Sequence, residues 1–302
     1  MERKVNNAET GYATSHLTHP LTYHRRYPVV LSIAGSDSSG GAGIQADLKS
    51  ISALGAYGAT AITAITAQNT LGVHSQFALP PKMVYDQIVA VMEDISPAAI
   101  KIGMLANVEV ANVVADALAK CTCPIILDPV MVSSSGYRLL SVEAQEVVKQ
   151  RLLPMVTLIT PNIPEMEALT AMPLSTVEEK RAAANYLISL GARAVLLKGG
   201  HEEGDTKTDI LYMSTSEGIS STSFSSPTIT TRNVHGTGCT LSSAIATYMA
   251  CGLCLEEAIG AAKVYICEAI RSGADIAIGG GFGPVNHLFD PQPMQIYEER
   301  TL

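Results

Sequence analysis

Apolar and polar positions alternate in blocks along this chain, and the blocks read by turns as strands and helices. The first, VVLSIAG over 29–35, is apolar and β-branched and ends in glycine. In the next, GIQADLKSISALG over 43–55, Ile44, Leu48, Ile51 and Leu54 recur at helical spacing before a second glycine. A strand follows over 60–66 (TAITAIT), and a helix over 81–94 leads into the apolar AAIKIGM. Helices predicted over 107–119, 141–152 and 176–190 each lead to a further strand, at 124–131 (PIILDPVM), 156–162 (VTLITPN) and 194–200 (AVLLKGG). The Ser/Thr-rich segment 213–230 alternates enough to form a hairpin near TDILYM. After HGTGCTL, a small apolar run without proline predicts a packed helix.

Strands apolar on both faces, with amphipathic helices between them, imply a mostly parallel sheet covered on both sides and joined by right-handed crossovers. No repeat of fixed period appears, and no linker divides the chain. The expected organisation is one α/β domain over 28–302, preceded by a polar extension over 1–27 without an apolar secretory core.

Composition narrows the class further. With 302 residues, 47% hydrophobic and 16% charged, the chain can bury a large core and is not extensively disordered. A net charge of −8 with no basic cluster argues against a nucleic-acid partner. No apolar run reaches membrane-spanning length. Six cysteines do not make a disulfide framework. Cys121-Thr-Cys123 and Cys251-Gly-Leu-Cys254 have spacings open to zinc or redox chemistry, but a reduced cytoplasmic protein is the simpler reading. His16, His19 and His24 read as solvated residues of the extension.

In open parallel sheets, ligands collect beyond the carboxyl ends of the strands. Those ends here carry Gly35-Ser36-Asp37, Gln68-Asn69, Gly103-Met104, Asp128-Pro129, Thr160-Pro161-Asn162 and Lys198-Gly199-Gly200. In HGTGCT, amides at a helix N-terminus carry partial positive charge, and Gly236 and Gly238 let the backbone curl around a phosphoryl group. No Gly-Lys-Ser/Thr follows, so this is not a P-loop. In SDSSGGAGIQAD (36–47), glycines lead into a helix bearing Asp47, either an acceptor for ligand N–H groups or a plain first-turn acid. In TPNIPEME (160–167), prolines flank Asn162 and Glu165 opens a helix. That pair suits a hydrated Mg²⁺, or Glu165 simply complements the helix dipole. Asp128 and Lys198 add an acid and a cation beside the same place.

Taken in order, SIAGSDSSGGAGIQADLK, TAQNTLGV, KIGML, LDPVM, TPNIPE, KGGH, HGTGCTLSSAIA and GPVNH resemble the hydroxymethylpyrimidine/phosphomethylpyrimidine kinases of thiamine biosynthesis, in the ribokinase-like superfamily. The resemblance runs over roughly 28–290. It implies a ribokinase-like α/β fold, and phosphorylation of 4-amino-5-hydroxymethyl-2-methylpyrimidine and then of its monophosphate, with ATP and Mg²⁺. It also implies a homodimer. Carried over by residue, it implies that Asp47 and Gln68 bind the aminopyrimidine in a pocket lined by Gly35, Met104 and Val130. Asn162 and Lys198 would serve the nucleotide phosphates, Asp128 and Glu165 the metal, and Gly236, Thr237, Gly238 and Cys239 the anion hole.

Many ribokinase-like enzymes carry an aspartate base where this chain has Cys239. A thiol at a helix N-terminus can have its pKa lowered to about 3.5–7.5, so Cys239 is expected to act as the base; alternatively it only positions the loop. A pyridoxal kinase, a dual-activity enzyme and a non-catalytic vitamin-binding protein stand as alternatives. Gln68 favours the pyrimidine, because an amide can pair with its edge. Ser133-Ser134-Ser135-Gly136 is a candidate lid.

Overall fold

The computed structural model describes residues 25–133, 136–200, 204–216 and 218–298. In chain order its strands are β1 (Arg25–Arg26), β2 (Val29–Asp37), β3 (Tyr57–Asn69), β4 (Gly72–Ala78), β5 (Ala99–Ile102) and β6 (Ile125–Leu127). Then come β7 (Leu158–Ile159), β8 (Ala194–Leu197), β9 (Thr206–Thr215), β10 (Gly218–Pro227) and β11 (Tyr297–Glu298). The helices are α1 (Gly43–Ala53), α2 (Pro81–Asp94), α3 (Val108–Leu118) and α4 (Val142–Val147). They continue with α5 (Ile163–Thr170), α6 (Val177–Ser189), α7 (Thr237–Ala250) and α8 (Leu255–Gly273).

Nine strands form one sheet in the order β10-β9-β8-β7-β6-β5-β2-β3-β4. The core from β3 to β8 is parallel, with antiparallel β4 at one edge and the β9–β10 hairpin at the other. Every residue of β5 to β8 is buried, which explains runs that are apolar throughout except at Lys101 in β5. Successive side chains point to opposite faces. Leu31, Ile33, Leu127 and Ile159 therefore join one core with buried residues of α3 to α6, while Val30, Ile126, Leu158 and Leu196 join a second with α1, α7 and α8. The chain leaves β2 first towards β3 and later returns to β2's other side through β5. The crevice between β2 and β5 is thus the topological switch point, where ligands of such sheets bind.

Three elements differ from expectation. β3 extends well beyond 60–66 because its far end pairs with β4, a strand not anticipated at all. β4 is an edge strand with most of its side chains exposed, so selection for burial leaves no apolar period in it. The helix expected over 141–152 is α-helical only to Val147 and continues as a wider π-turn over Val148–Leu152. Of the N-terminal extension, residues 1–24 lie outside the described residues; Arg25 and Arg26 pair antiparallel with β11. No described helix is long and apolar enough to cross a membrane.

Candidate active site

Gly236 caps α7 in the left-handed region, at φ 82°, and a Cβ there would lie 1.9 Å from the Gly41 carbonyl oxygen. Only glycine allows that approach, which seats the start of α7 against the loop before α1. The same loop is closed from the other side by Gly43, where a Cβ would lie 2.3 Å from the Gly35 oxygen. The first amides of α7 then face a charged group. A Cβ on Gly238 would stand 3.3 Å from Asp128 Oδ2 and 3.4 Å from Lys198 Nζ.

That group comes from three neighbouring strand ends. Lys198, after β8, donates to Asp128 Oδ1 at 2.7 Å and stands 3.7 Å from Glu165 Oε2. Thr160, after β7, donates to Asp128 Oδ1 at 3.2 Å. Glu165 is placed by a capping box at the start of α5. Asn162 Oδ1 accepts from the Glu165 N–H, and Glu165 Oε2 accepts from the Asn162 N–H, each at 2.8 Å. The helix-terminal reading of Glu165 is therefore realised together with its place in the site. Burial works against the charge on Lys198, but the Asp128 and Glu165 carboxylates outweigh it and push the ammonium above its ordinary range. Burial pushes the Glu165 carboxyl up, and Lys198 only partly offsets it.

A cavity of about 830 Å³ runs across these strand ends, within the size range of small-molecule sites. Gly35, Gln68, Met104 and Val130 line it towards β3; Asp128, Asn162, Glu165, Lys198 and residues Gly236 to Cys239 line its middle. Lys263, Ile266 and Ile270 of α8 line it towards β9. Gly35 and Met104 share a wall, since a Cβ on Gly35 would meet Met104 Sδ at 2.8 Å. Of the lid segment, Ser134 and Ser135 lie outside the described residues, while Ser133 lines the cavity.

The structure corrects the expectation for Asp47 and bears on that for Cys239. Asp47 does not line the cavity. It is fully buried behind it, where Lys101 Nζ donates to both carboxylate oxygens at 2.8 and 2.9 Å. Ser32 and Ser243 hydroxyls donate to the same carboxylate at 2.6 and 2.7 Å. An acid that accepts four hydrogen bonds from three protein groups is taken up within the fold rather than turned to a ligand; it ties β2, β5, α1 and α7 together. Cys239 lines the cavity. Burial pushes its thiol up to about 11, and Lys101 only partly compensates. Desolvation therefore favours the protonated thiol and weighs against the reading of Cys239 as the base.

The structure also brings in residues that motif reading passed over. His235 Nε2 contacts Asp37 Oδ2 at 2.8 Å and Gln68 Nε2 at 3.3 Å, joining the α7 loop, the α1 loop and β3. Asp37 also accepts from the Ser39 and Ala42 N–H groups. Burial would raise the Asp37 carboxyl, but the bonds from His235, Ser39 and Ala42 hold it down at about 2. Gln45 accepts from the Asp37 N–H and donates to Ser36 Oγ, both at 2.8 Å. Asp209 accepts from the Gly199 N–H at 2.9 Å and pairs with Lys263 at 2.7 Å, bracing the loop that carries Lys198. The signal for His235 and Asp37 was their position beside two glycine-rich turns; their pairing across 198 residues was not readable.

A carboxyl held near 2 stabilises the fold above its ordinary pKa, near 4, and the gain is lost as pH falls through 2. Asp37→Asn is therefore expected to cost about 2 kcal/mol at pH 7. Urea denaturation over a pH series should show the gap between variant and parent closing between about pH 4 and 2.

A doubly wound sheet with a glycine-cradled helix terminus beside a buried Lys–Asp–Glu group at the ends of β6 to β8 is the arrangement of a ribokinase-like phosphotransferase. Residues 37–286 match the phosphomethylpyrimidine kinase family. The chain is 44% identical over 260 residues to the hydroxymethylpyrimidine/phosphomethylpyrimidine kinase of Streptomyces coelicolor, covering 86% of this chain and 94% of that protein. It is 48% identical over 273 residues to the thiamine biosynthesis bifunctional protein ThiED of Geobacter sulfurreducens; the match covers 89% of this chain but only 54% of that longer protein. The Staphylococcus aureus pyridoxal kinase, solved with AMP-PCP and pyridoxal, superposes with a TM-score of 0.78 at 30% identity, covering 91% of this chain and all of that one. The chain belongs to the phosphomethylpyrimidine kinase family.

Proposed function

We propose that this chain transfers the γ-phosphoryl group of ATP to the hydroxymethyl group of 4-amino-5-hydroxymethyl-2-methylpyrimidine, and then phosphorylates the monophosphate. One observation carries the reading. The Lys198–Asp128–Glu165 group faces the N-terminus of α7 in the same cavity that Gln68 enters, so phosphate-binding and heterocycle-binding groups share one space.

The residues present fit ATP with Mg²⁺. The glycine cradle at 236 and 238 leaves room for phosphoryl oxygens close to backbone amides. Among the described residues no cluster of three or more His, Cys, Asp or Glu could hold a metal by itself. Asp128 and Glu165 offer two carboxylates, which suits an ion that keeps waters and takes phosphate oxygens as its other ligands. When bound, Mg²⁺ supplies charge neutralisation between the phosphates. Lys198 binds the phosphate oxygens and offsets the charge that develops on them, while Asn162 holds the α5 turn that presents Glu165. The Gly236–Cys239 amides stabilise the transferred group. In the loose transition state of phosphoryl transfer the hydroxyl proton leaves late, so alignment and charge matter more than a strong base.

Cys239, protonated at neutral pH, then positions the acceptor hydroxyl rather than taking its proton. Cys239→Ala is expected to lower kcat by less than the ~10²-fold that losing a general base costs. A larger loss, with a pH–rate profile that follows the thiol, would restore the base. Gln68 lies beside the cavity wall made by Gly35 and Met104, and pairs its amide with the aminopyrimidine edge. Gln68→Met is expected to raise KM for the pyrimidine by about tenfold, the cost of one lost hydrogen bond, with kcat little changed.

A second reading, phosphorylation of pyridoxal, is favoured by the likeness of this fold to a pyridoxal kinase. A mass-resolved assay with ATP-Mg²⁺ on hydroxymethylpyrimidine, its monophosphate and pyridoxal decides between them. Stepwise pyrimidine mono- and diphosphate supports the first reading; pyridoxal phosphate alone supports the second. No product from any of the three would point to a non-catalytic vitamin-binding relative. The continuous sheet supports a single domain over 28–302. Its action in the cytoplasm as a homodimer rests on the family resemblance, and sedimentation of the purified chain tests the dimer.

A further inference from the structure

The loop from α3 to β6 carries Cys121 and Cys123, which the phosphoryl-transfer site does not use. Their sulfurs lie 3.2 Å apart in a mutual hydrogen bond, and Cys121 Sγ also contacts the Cys123 carbonyl oxygen at 3.7 Å. Both are partly exposed, and the intervening Thr122 is exposed. The loop is pinned at each end. The Cys121 N–H donates to Leu118 O at 2.8 Å, and Pro124 O accepts from the Ile100 N–H at 2.9 Å. The two sulfurs are therefore held facing each other by α3 and the sheet, with reagent access from solvent.

We propose that Cys121 and Cys123 form a dithiol site that exchanges with low-molecular-weight disulfides such as oxidised glutathione and closes to an internal disulfide. Cys121 Sγ, as thiolate, attacks one sulfur of the reagent, whose S–S bond breaks and releases one glutathione thiolate, which takes up the proton Cys121 lost. Cys123 then loses its proton and attacks Cys121 Sγ, forming the internal S–S bond and releasing the second glutathione as thiol. Two protein thiols are oxidised and one reagent disulfide is reduced. Closing the bond needs the sulfurs to approach from 3.2 Å to about 2.05 Å, a shift within reach of side-chain rotation.

The order of attack follows from the pair itself. The hydrogen bond from Cys123 holds the Cys121 thiol down at about 7, whereas the same contact and burial push Cys123 up. Cys121 is thus the attacking thiol and Cys123 the resolving one. A metal is the weaker reading, because two thiols supply half the ligands of a structural zinc and no larger cluster exists among the described residues.

The test treats the full chain with oxidised glutathione, unfolds it, alkylates the remaining thiols with iodoacetamide and maps the peptides by mass. The peptide holding Cys121 and Cys123 is expected to be unalkylated and lighter by two hydrogens, and to regain both thiols with dithiothreitol. In Cys123→Ser, a glutathione adduct on Cys121 should accumulate instead, because nothing resolves it. A wild-type peptide that stays fully alkylated, or that keeps glutathione on Cys121 without closing, would overturn the proposal. Closure of Cys251 with Cys254 in its place would also overturn it.

Discussion

Lys198→Met is expected to lower kcat by about 10³-fold or more, the scale of removing a charge that stabilises a transferring phosphoryl group. The ammonium stands 2.7 Å from Asp128 and beside the Gly238 position on the N-terminus of α7, so in the proposed reaction it meets both the acid and the incoming phosphate. Methionine keeps the stem and removes the charge. KM for ATP should rise in the same assay, since the ground state loses the contact too. Lys198→Arg keeps the charge in a different shape and should recover part of the rate. A Lys198→Met enzyme with near-normal turnover would mean that the phosphates bind elsewhere in the cavity.

The second large effect is on stability. Lys101 and Asp47 are both fully buried, and Lys101→Met leaves a carboxylate in the interior without its cation. Breaking such a pair costs about 3–5 kcal/mol, much of a domain's net stability. Urea denaturation measures it. Asp47→Asn combined with Lys101→Met removes the orphaned charge and should recover most of the loss, because one of the Ser32 and Ser243 hydroxyls can still donate to the amide oxygen while the other accepts from the amide NH2. Recovery by the double variant also answers the case in which the single one does not fold. If Lys101→Met unfolds at the parent's urea concentration, the pair contributes nothing net. The network joins α1 to α7 through Asp47 and Ser243, one turn beyond Cys239, so a surviving Lys101→Met should also show a lowered kcat from a misplaced anion hole.

Much of the site was legible in the sequence because its parts are local. A glycine that must adopt a positive φ, or approach another backbone closely, declares itself by being glycine, as Gly236 does. A capping box is four consecutive residues, so Asn162 and Glu165 could be placed at a helix start without a structure. Strand ends were found because burial on both faces of β5 to β8 writes apolar runs, broken only by Lys101, and whatever polar residue follows them stands at the rim.

Asp47 marks where that reading stopped. From sequence alone an aspartate about one turn into a helix behind a glycine loop has two uses, accepting from a ligand or standing in solvent against the helix dipole. The fold gives it neither, because Lys101, on a strand 54 positions away, which β5 brings beside Ser32 of β2, holds the carboxylate in the interior. Cys239 is the companion case. A helix terminus lowers a thiol's pKa and burial raises it, and the sequence supplies the first term only. The order of apolar and polar residues thus determined which segments are strands and helices, β4 apart, and where the polar rim of the sheet lies, because those depend on neighbours along the chain. Which strands pair, which acid is buried against a lysine and which histidine meets which carboxylate were decided only by the folded chain, because pairing, charge and solvation depend on neighbours in space.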